Sequence, residues 1–359
     1  MSIVLFLIIL IALILVHEFG HFIVAKRSGV RVDEFGIGFP PKVWGKKFGE
    51  TEYTINALPF GGFVRIFGED PNEESLKSPH SMVAKPWYIK AAIIVAGVVM
   101  NILFAWFLFV IVFALGPQEA DVNTPDAEML VTHIVADSPA EKAGLKTGDV
   151  ILSVSDGTTE IPARDPAQVS EFIGKHPGSP VTVALKRDGV PQSITANPVT
   201  GMVAAEPERG ALGFGLGLFS TTPLPLPEAL YRASALTGTT LWAIATSLVG
   251  FFASAFMLTA DLSQVTGPVG IVGLVGDAAT LGFLTVLSFT AFISLNLAVI
   301  NLLPFPALDG GRFVVTLAEA IRGKMFPTTV VNAINGVGFI LLIILMIVVT
   351  WSDIMKLIG

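Results

Sequence analysis

Four long apolar segments alternate with more polar stretches along this chain of 359 residues. Each exceeds the roughly 20 apolar residues with which an α-helix crosses the hydrocarbon core of a bilayer. A fifth apolar segment is shorter, and it suits either a membrane span or a helix at the membrane surface. The four long segments are residues 3–24, 91–115, 281–303 and 330–351, and the fifth is 241–258. The pattern predicts a polytopic α-helical membrane protein with about four transmembrane helices.

Composition supports this class, because 52% of the residues are hydrophobic and only 14% are charged. The net charge of −7 is modest, and no basic cluster indicates a nucleic-acid partner. The chain has no cysteine, which excludes disulfides and cysteine-ligated metal sites. We interpret the first apolar segment as an uncleaved membrane helix, because the basic stretch that opens a signal peptide does not precede it.

Basic residues indicate the orientation of the spans. Ten lysines and arginines lie in residues 26–90, between the first two spans, and basic residues near span ends mark the cytoplasmic side. The first span is therefore expected to run from outside to inside, and the second to return. Residues 117–227 would then lie outside the cytoplasm.

A five-residue motif, His17-Glu18-Phe19-Gly20-His21, lies inside the first apolar segment. Positions i and i+4 share one face of a helix, so His17 and His21 can offer two imidazoles to one metal ion. Glu18 lies next to that face and is placed to act as a catalytic base. Ionisable groups at membrane depth are costly and usually functional, which argues against a chance occurrence. The motif predicts a zinc site within the membrane.

Catalytic zinc commonly takes three protein ligands, and the best candidate for the third is Asp309. It belongs to the stretch N301-L-L-P-F-P-A-L-D309-G-G, which follows the third long segment. Two prolines and two glycines should break the helix there and leave Asp309 on irregular backbone at membrane depth. The alternative is that Asp309 only caps the next helix.

The position of the two histidines also constrains the topology. They lie late in the first span, roughly 21–27 Å from its outer end at a rise of 1.5 Å per residue, so the site is expected near the cytoplasmic face. Asp309 must reach the same face, so segment 281–303 should also run from outside to inside. Segment 241–258 then cannot complete a crossing, and we expect it at the membrane interface or against the helix bundle.

Residues 51–67 (TEYTINALPFGGFVRIF) have strand character at both ends. Glycines and a proline between the ends predict a β-hairpin on the cytoplasmic side. Its tip, residues 58–63, is apolar and could enter the protein interior beside the spans, where non-helical backbone is tolerated if it lines a cavity. An ordinary surface hairpin is the alternative.

Residues 117–220 predict a soluble α+β domain outside the cytoplasm. The stretch S138-P-A-E-K-A-G-L-K-x-G-D-V-I strongly resembles part of a PDZ domain, a module that binds extended peptides by adding a strand to a sheet edge. Strands are predicted at 131–135, 150–154, 181–186 and 192–196, and helices at 138–145 and 167–175.

Taken together, the motifs closely resemble those of bacterial site-two proteases, which are intramembrane zinc metalloproteases. The resemblance covers nearly the whole chain. Val98 stands where the family often has a proline, and this chain has one PDZ-like segment where some members have two. The stretches that carry the resemblance are H17-E-F-G-H21, F35-G-I-G-F39, P59-F-G-G-F-V-R65, A96-G-x-x-x-N101, T266-G-P-V-G-I271 and the N301 to D309 motif.

This resemblance implies one Zn²⁺ per chain, held by His17, His21 and Asp309, with Glu18 as the catalytic carboxylate. It implies substrates that are transmembrane segments of single-span proteins, such as anti-sigma factors and remnant signal peptides, cut after an earlier cleavage outside the membrane. The expected location is the bacterial cytoplasmic (inner) membrane, where the PDZ domain would contact a peptide or an ectodomain. The residues implied to position the unwound substrate are Asn301, Gly61, Gly62, Phe63 and Val64.

The expected organisation follows from these assignments. Transmembrane helices are expected at residues 1–25, 91–116, 281–311 and 330–352. The other regions are a cytoplasmic-side segment (26–90), the PDZ domain (117–220), an extracytoplasmic or interfacial helical linker (221–280) and a cytoplasmic-side loop or helix (312–329).

Two other functions remain open from the residues alone. A zinc transporter or sensor would need histidines and carboxylates spread over several spans, whereas the second and fourth long segments offer little beyond asparagines. A PDZ scaffold without catalysis should not need Glu18.

Overall fold

The computed structural model describes residues 2–69, 73–116, 118–119, 122–135, 137–187, 189–202, 206–220, 223–257 and 267–358. It has two compact units, each described by itself. The helical unit comprises Met1–Val110 and Tyr231–Gly359, and the sheet unit comprises Ile111–Leu230. Thr266, which opens one of the sequence motifs, lies outside the described residues.

The helices are named in chain order. They are α1 (Ser2–Arg27), α2 (Glu73–Lys77), α3 (Trp87–Leu115), α4 (Pro139–Lys142), α5 (Pro166–Gly174), α6 (Leu226–Phe256), α7 (Pro268–Thr280), α8 (Phe283–Leu302), α9 (Asp309–Arg322) and α10 (Thr328–Ile358). The strands are β1 (Val32–Phe48), β2 (Thr51–Ile66), β3 (Gln118–Glu119), β4 (Ala127–Ile134), β5 (Val150–Ser155), β6 (Glu160–Pro162), β7 (Val181–Arg187), β8 (Val190–Ala196) and β9 (Phe214–Ser220).

Five helices of the described chain are long and apolar enough to cross a membrane. Four of them, α1, α3, α8 and α10, coincide with the four long apolar segments of the sequence. The fifth is α6, which begins at Leu226, well before the apolar segment that starts at residue 241. This helix is therefore longer than expected. Length and composition give one more candidate span than the four predicted, while the predicted interfacial position of α6 stays a prediction.

Helices α1 and α8 run in the same direction within the helical unit. The start of α1 lies against α7, since a Cβ added to Gly276 would come 2.7 Å from Ser2 Oγ. Further along α1, Ile9 and Leu13 pack with Val275 in one apolar cluster. The histidine end of α1 meets Asp309, just after the end of α8. The direction of both helices relative to the membrane stays a prediction.

The hairpin predicted over residues 51–67 is wrong. Strand β2 pairs antiparallel with β1, and both halves of β2 pair with the same part of β1, so that Phe35 lies opposite both Tyr53 and Val64. Residues 34–37 therefore separate the two arms of the predicted hairpin. A third extended segment satisfies backbone groups that an isolated hairpin would leave unpaired, which explains why this arrangement is favoured. Residues 62–66 form an outer edge with no other strand beside it in the described chain.

The sheet unit contains the strands and helices predicted for it. Its strand order is β3-β9-β4-β5-β7-β8, with β6 paired to β5. Ser138 caps α4 by accepting a hydrogen bond from the Glu141 N–H at 3.3 Å, and Pro139 follows it as predicted. Strand β9 was not predicted, because three glycines in and just before it lower its strand propensity. The PDZ assignment of this unit stays a prediction.

Candidate metal centre

Three side chains of the helical unit converge on one point. The Nε2 atoms of His17 and His21 lie 3.2 Å apart. Asp309 Oδ2 lies 3.0 Å from His17 Nε2 and 3.3 Å from His21 Nε2. Both histidines are buried, with 9% and 7% of their surface exposed. Within the described ranges, this is the one group of three or more such residues whose potential ligand atoms come together.

Asp309 reaches the histidines because the chain turns back sharply after α8. Ala307 has a positive φ of 72°, a left-handed conformation that is rare outside glycine. A Cβ on Gly310 would lie 2.1 Å from Leu303 O, and one on Gly311 would lie 2.3 Å from Phe305 O. Only glycines fit at these two positions, so the close packing of the turn requires the Gly-Gly pair after Asp309.

Asp309 is the first residue of α9. The capping alternative was therefore right that Asp309 lies at the start of a helix. A negative charge in the first turn of a helix is stabilised by the helix dipole. However, the cap position is Leu308, which makes no side-chain cap hydrogen bond. The Asp309 carboxylate points instead to His17 and His21.

The arrangement fits a zinc ion. Two imidazole nitrogens and one carboxylate oxygen are ligands that Zn²⁺ takes, and three protein ligands are typical of catalytic sites. The buried Asp309 Oδ2 has no hydrogen-bond partner among the described residues, although two imidazole nitrogens lie beside it. A Cβ on Gly97 would lie 2.4 Å from His21 Nε2 and 2.8 Å from His17 Nε2. Glycine at this position keeps open the space into which the ligand atoms point.

Glycines also bring the two supporting helices together. A Cβ on Gly20, inside the His-Glu-x-x-His motif, would lie 2.4 Å from Ala96 O of α3. Backbones at this distance tolerate only the smallest residue, as in other close helix contacts within membranes. Helix α3 therefore lies directly against the face of α1 that carries the histidines.

Glu18 lies beside the three converging side chains and is held by the edge strand. Its Oε2 accepts a hydrogen bond from the Val64 N–H at 3.0 Å. A cavity of about 330 Å³ opens at this point, which is within the usual size of ligand pockets. Its lining includes His17, Glu18, Asn101, Asn301 and Asp309.

The structure brings together most of the residues singled out from the sequence. Asn301 lines the cavity, and Val64 contacts Glu18. A Cβ added to Gly61 or Gly62 would lie within 4 Å of side chains of α1, so both glycines are close to that helix. The ring of Phe63 stacks on Phe39 at a centroid distance of 6.5 Å.

Comparison with known proteins identifies the family. The model of peptidase family M50 matches residues 5–345. The chain belongs to peptidase family M50. A Clostridium perfringens protein named as a zinc metalloprotease is 37% identical over 346 residues, which is 96% of this chain and 95% of the relative. The zinc metalloprotease RasP of Geobacillus kaustophilus is 29% identical over 431 residues, covering 99% and 98%.

A further M50 relative is the regulator of sigma-W protease RasP of Bacillus subtilis, 29% identical over 434 residues and 99% of each chain. These findings, together with five apolar helices, make this protein a multi-pass intramembrane metalloprotease with zinc as its cofactor. The resemblance to site-two proteases is thereby confirmed.

Sequence reasoning missed the part that α3 plays in this M50 protease. Ile93, Gly97 and Asn101 are spaced four residues apart, so a helical projection places them on one face. Gly97 and Asn101 were noticed only as parts of a family motif. The position of Gly97 between two residues of one helix face could have indicated that another helix approaches α3 there.

Proposed function

We propose that this metalloprotease hydrolyses peptide bonds within transmembrane segments of single-span proteins. In this proposal His17, His21 and Asp309 hold zinc, and Glu18 is the general base. The observation that carries it is the convergence of the three potential ligand atoms, at 3.0 to 3.3 Å, next to the Glu18 carboxylate.

Bound zinc would supply Lewis acidity, which polarises the scissile carbonyl and lowers the pKa of water. Glu18 takes a proton from the attacking water and later donates it to the leaving nitrogen. The Val64 N–H binds one carboxylate oxygen of Glu18, and the other oxygen, which accepts no hydrogen bond from the described residues, is assigned to this transfer. The bond also fixes the carboxylate at the rim of the cavity.

A substrate helix must unwind before it is cut, because its carbonyls accept hydrogen bonds within the helix. The edge formed by residues 62–66 can pair with an extended peptide and replace those bonds. Backbone groups alternate in direction along a strand, so Gly62 and Ile66 face the same side as Val64. The segment is held at the site by the Val64 contact with Glu18 and by an ion pair between Glu69 and Arg312.

Asn301 and residues 61–64 are proposed to hold the substrate beside the metal. Asn301 lines the same cavity as Glu18, which supports a contact with the peptide backbone. The Bacillus subtilis relative is named a regulator of sigma-W protease, so we propose anti-sigma factors as substrates, and remnant signal peptides as well.

The sheet unit is proposed to be a PDZ domain that lies outside the cytoplasm and contacts a peptide or an ectodomain. Among the described residues, β3 pairs only with Phe219 and Ser220, the last two residues of β9, and no described strand pairs with residues 214–218 on that side. Phe214 and Leu216 of β9 pack on the core that includes Val169 of α5. An open edge beside a helix supports peptide binding by strand addition.

The test of the function uses the full chain purified in detergent and a single-span substrate. Mass spectrometry of the products should place the cut within the transmembrane segment, and metal analysis should find one zinc per chain. A cut confined to the region outside the span would contradict the proposal.

The topology has its own test. Reporter fusions after Pro207 and after Gly282 should both report the extracytoplasmic side, and a fusion after Ser78 the cytoplasmic side. A cytoplasmic signal at Gly282 would mean that α6 crosses the membrane and that α8 runs in the opposite direction to the one proposed.

A further inference from the structure

Helix α3 contacts the outer nitrogen of both histidines. His21 Nδ1 lies 2.8 Å from the backbone oxygen of Ile93, and His17 Nδ1 lies 3.4 Å from the side-chain amide of Asn101. Gly97 lies between these two residues on the same face of α3, against both Nε2 atoms. One stripe of α3 therefore meets all four ring nitrogens.

The contact with Ile93 sets the tautomer of His21. A carbonyl oxygen can only accept a hydrogen bond, so His21 Nδ1 must carry the proton. In a neutral imidazole the other nitrogen is then unprotonated. His21 Nε2, which faces Asp309, is thus in the form that can bind a metal.

His17 needs the same tautomer, and this depends on Asn101. If the Asn101 nitrogen donates to His17 Nδ1, the proton of a neutral ring lies on Nε2 and blocks it as a ligand. If the amide is rotated by 180°, Oδ1 accepts from His17 Nδ1–H and Nε2 is free for metal. Metal-binding histidines almost always donate their other N–H to an acceptor in this way.

The surroundings of Asn101 allow the rotated amide. Asn101 is fully buried, and its Oδ1 has no hydrogen-bond partner anywhere in the described chain. In either orientation the amide makes one hydrogen bond, to the His17 ring, so the rotation loses none. Ligation by His17 then decides the orientation, because only the rotated amide accepts the Nδ1–H that leaves Nε2 free for metal. The residue is also well anchored, since Ser294 Oγ donates to the Asn101 backbone oxygen at 2.8 Å.

We infer that Asn101 is a positioning residue whose Oδ1 accepts a hydrogen bond from His17 Nδ1–H and so fixes the tautomer in which His17 binds zinc. The inference rests on the proposed role of His17 as a ligand. It assigns the two histidines different supports from one helix: a backbone carbonyl for His21 and a side-chain amide for His17.

The test compares an acceptor with an apolar side chain of similar size. Asn101→Asp keeps an oxygen acceptor in either orientation, whereas Asn101→Leu has none. Zinc affinity is measured on the full-length apo protein in detergent by competition with a chelating dye. Asn101→Asp should bind zinc within about threefold of wild type or more tightly, and Asn101→Leu should bind about 10- to 100-fold more weakly.

Controls separate this role from general destabilisation. Asn296→Leu makes the same change on α8, where the asparagine side chain donates to the Phe292 backbone oxygen of its own helix. This variant should keep wild-type zinc affinity. Thermal unfolding of each apo variant reports folding. If Asn101→Leu does not fold, Asn101→Ala removes the amide with less crowding and is expected to show the same loss.

The outcomes are distinct. Wild-type zinc affinity in Asn101→Leu, or an equal loss in Asn101→Asp and Asn101→Leu, would overturn the acceptor role. His17→Ala is the reference for the proposed site. If it bound zinc like wild type, the metal site and this inference would fail together, whereas loss in His17→Ala with retention in Asn101→Leu would overturn this inference alone.

Discussion

Helices α1 and α3 are both long and apolar, and they meet at the metal centre, but they contribute to it in opposite ways. Helix α1 supplies ionisable side chains, His17, Glu18 and His21. Helix α3 supplies a backbone carbonyl, a glycine and one amide. The chemistry of α1 is therefore visible in its residue types, whereas that of α3 depends on where its backbone lies relative to α1.

The comparison shows that a supporting helix can act by leaving space. Gly97 makes room at the ligand atoms, and Gly20 lets the two backbones approach. A larger residue at either position would separate the helices and remove the support that α3 gives to both histidines. The predictions below test the two helices in turn, beginning with the largest expected effect.

Substitution of the α1 carboxylate should have the largest effect on catalysis. Glu18→Gln keeps the size of the side chain but removes the base, so cleavage should fall by at least about 10²-fold, the lower end of what general acid–base catalysis contributes. Zinc content should remain at the wild-type level, because no ligand is changed. Cleavage of a single-span substrate and metal analysis measure the two effects.

His17→Ala and Asp309→Ala provide the contrast, because they should lose zinc together with activity. Near-normal turnover by Glu18→Gln would contradict the role of Glu18 as base. Full zinc occupancy in Asp309→Ala would require another third ligand.

Substitution of Gly97 on α3 should have the second largest effect. In Gly97→Ala the new Cβ would lie within 2.8 Å of atoms of both imidazoles, so zinc affinity should fall by about 10-fold or more. Chelator competition on the purified protein measures the affinity.

The matched control is Gly336→Ala on α10, where the added Cβ would meet no described atom within 4 Å apart from its chain neighbours and its own helix backbone. There the substitution should leave zinc binding unchanged and alter stability by no more than about 1 kcal/mol. Equal zinc affinity in the two variants would mean that α3 does not lie against the histidines as described.

The edge strand should show a smaller effect that depends on the substrate. Proline at Val64 removes the N–H that holds Glu18, so it should lower cleavage of every substrate by several-fold to about 10-fold. Proline at Ile66 leaves that bond intact but disturbs pairing along the edge. It should lower cleavage of a strongly helical substrate more than cleavage of one with a central Gly-Pro.

Neither proline variant should change zinc content, since the strand supplies no ligand. Because Ile66 is buried, thermal unfolding must show that its proline variant remains folded. Equal losses on the two substrates by the Ile66 variant would argue against an unwinding role for residues 62–66.

Local patterns were sufficient to predict the long apolar helices and the three potential metal ligands that converge in the structure. Helix periodicity alone places His17 and His21 on one face, and the prolines and glycines around Asp309 alone predict a break in the helix. The strands of the sheet unit were predictable for the same reason, because alternation and turn residues act over a few positions. Strand β9 was missed since its glycines hide that alternation.

Long-range packing decided the remaining features. Residues 34–37 pair with two segments of β2 at once, and strand propensity does not reveal which neighbours a strand will choose. The approach of α3 to α1 likewise depends on the register and distance of two helices whose apolar faces look alike in the sequence. The sequence by itself therefore determined which side chains we propose as zinc ligands. The tertiary structure decided which backbone and amide groups lie against them, because those contacts join residues more than 70 positions apart.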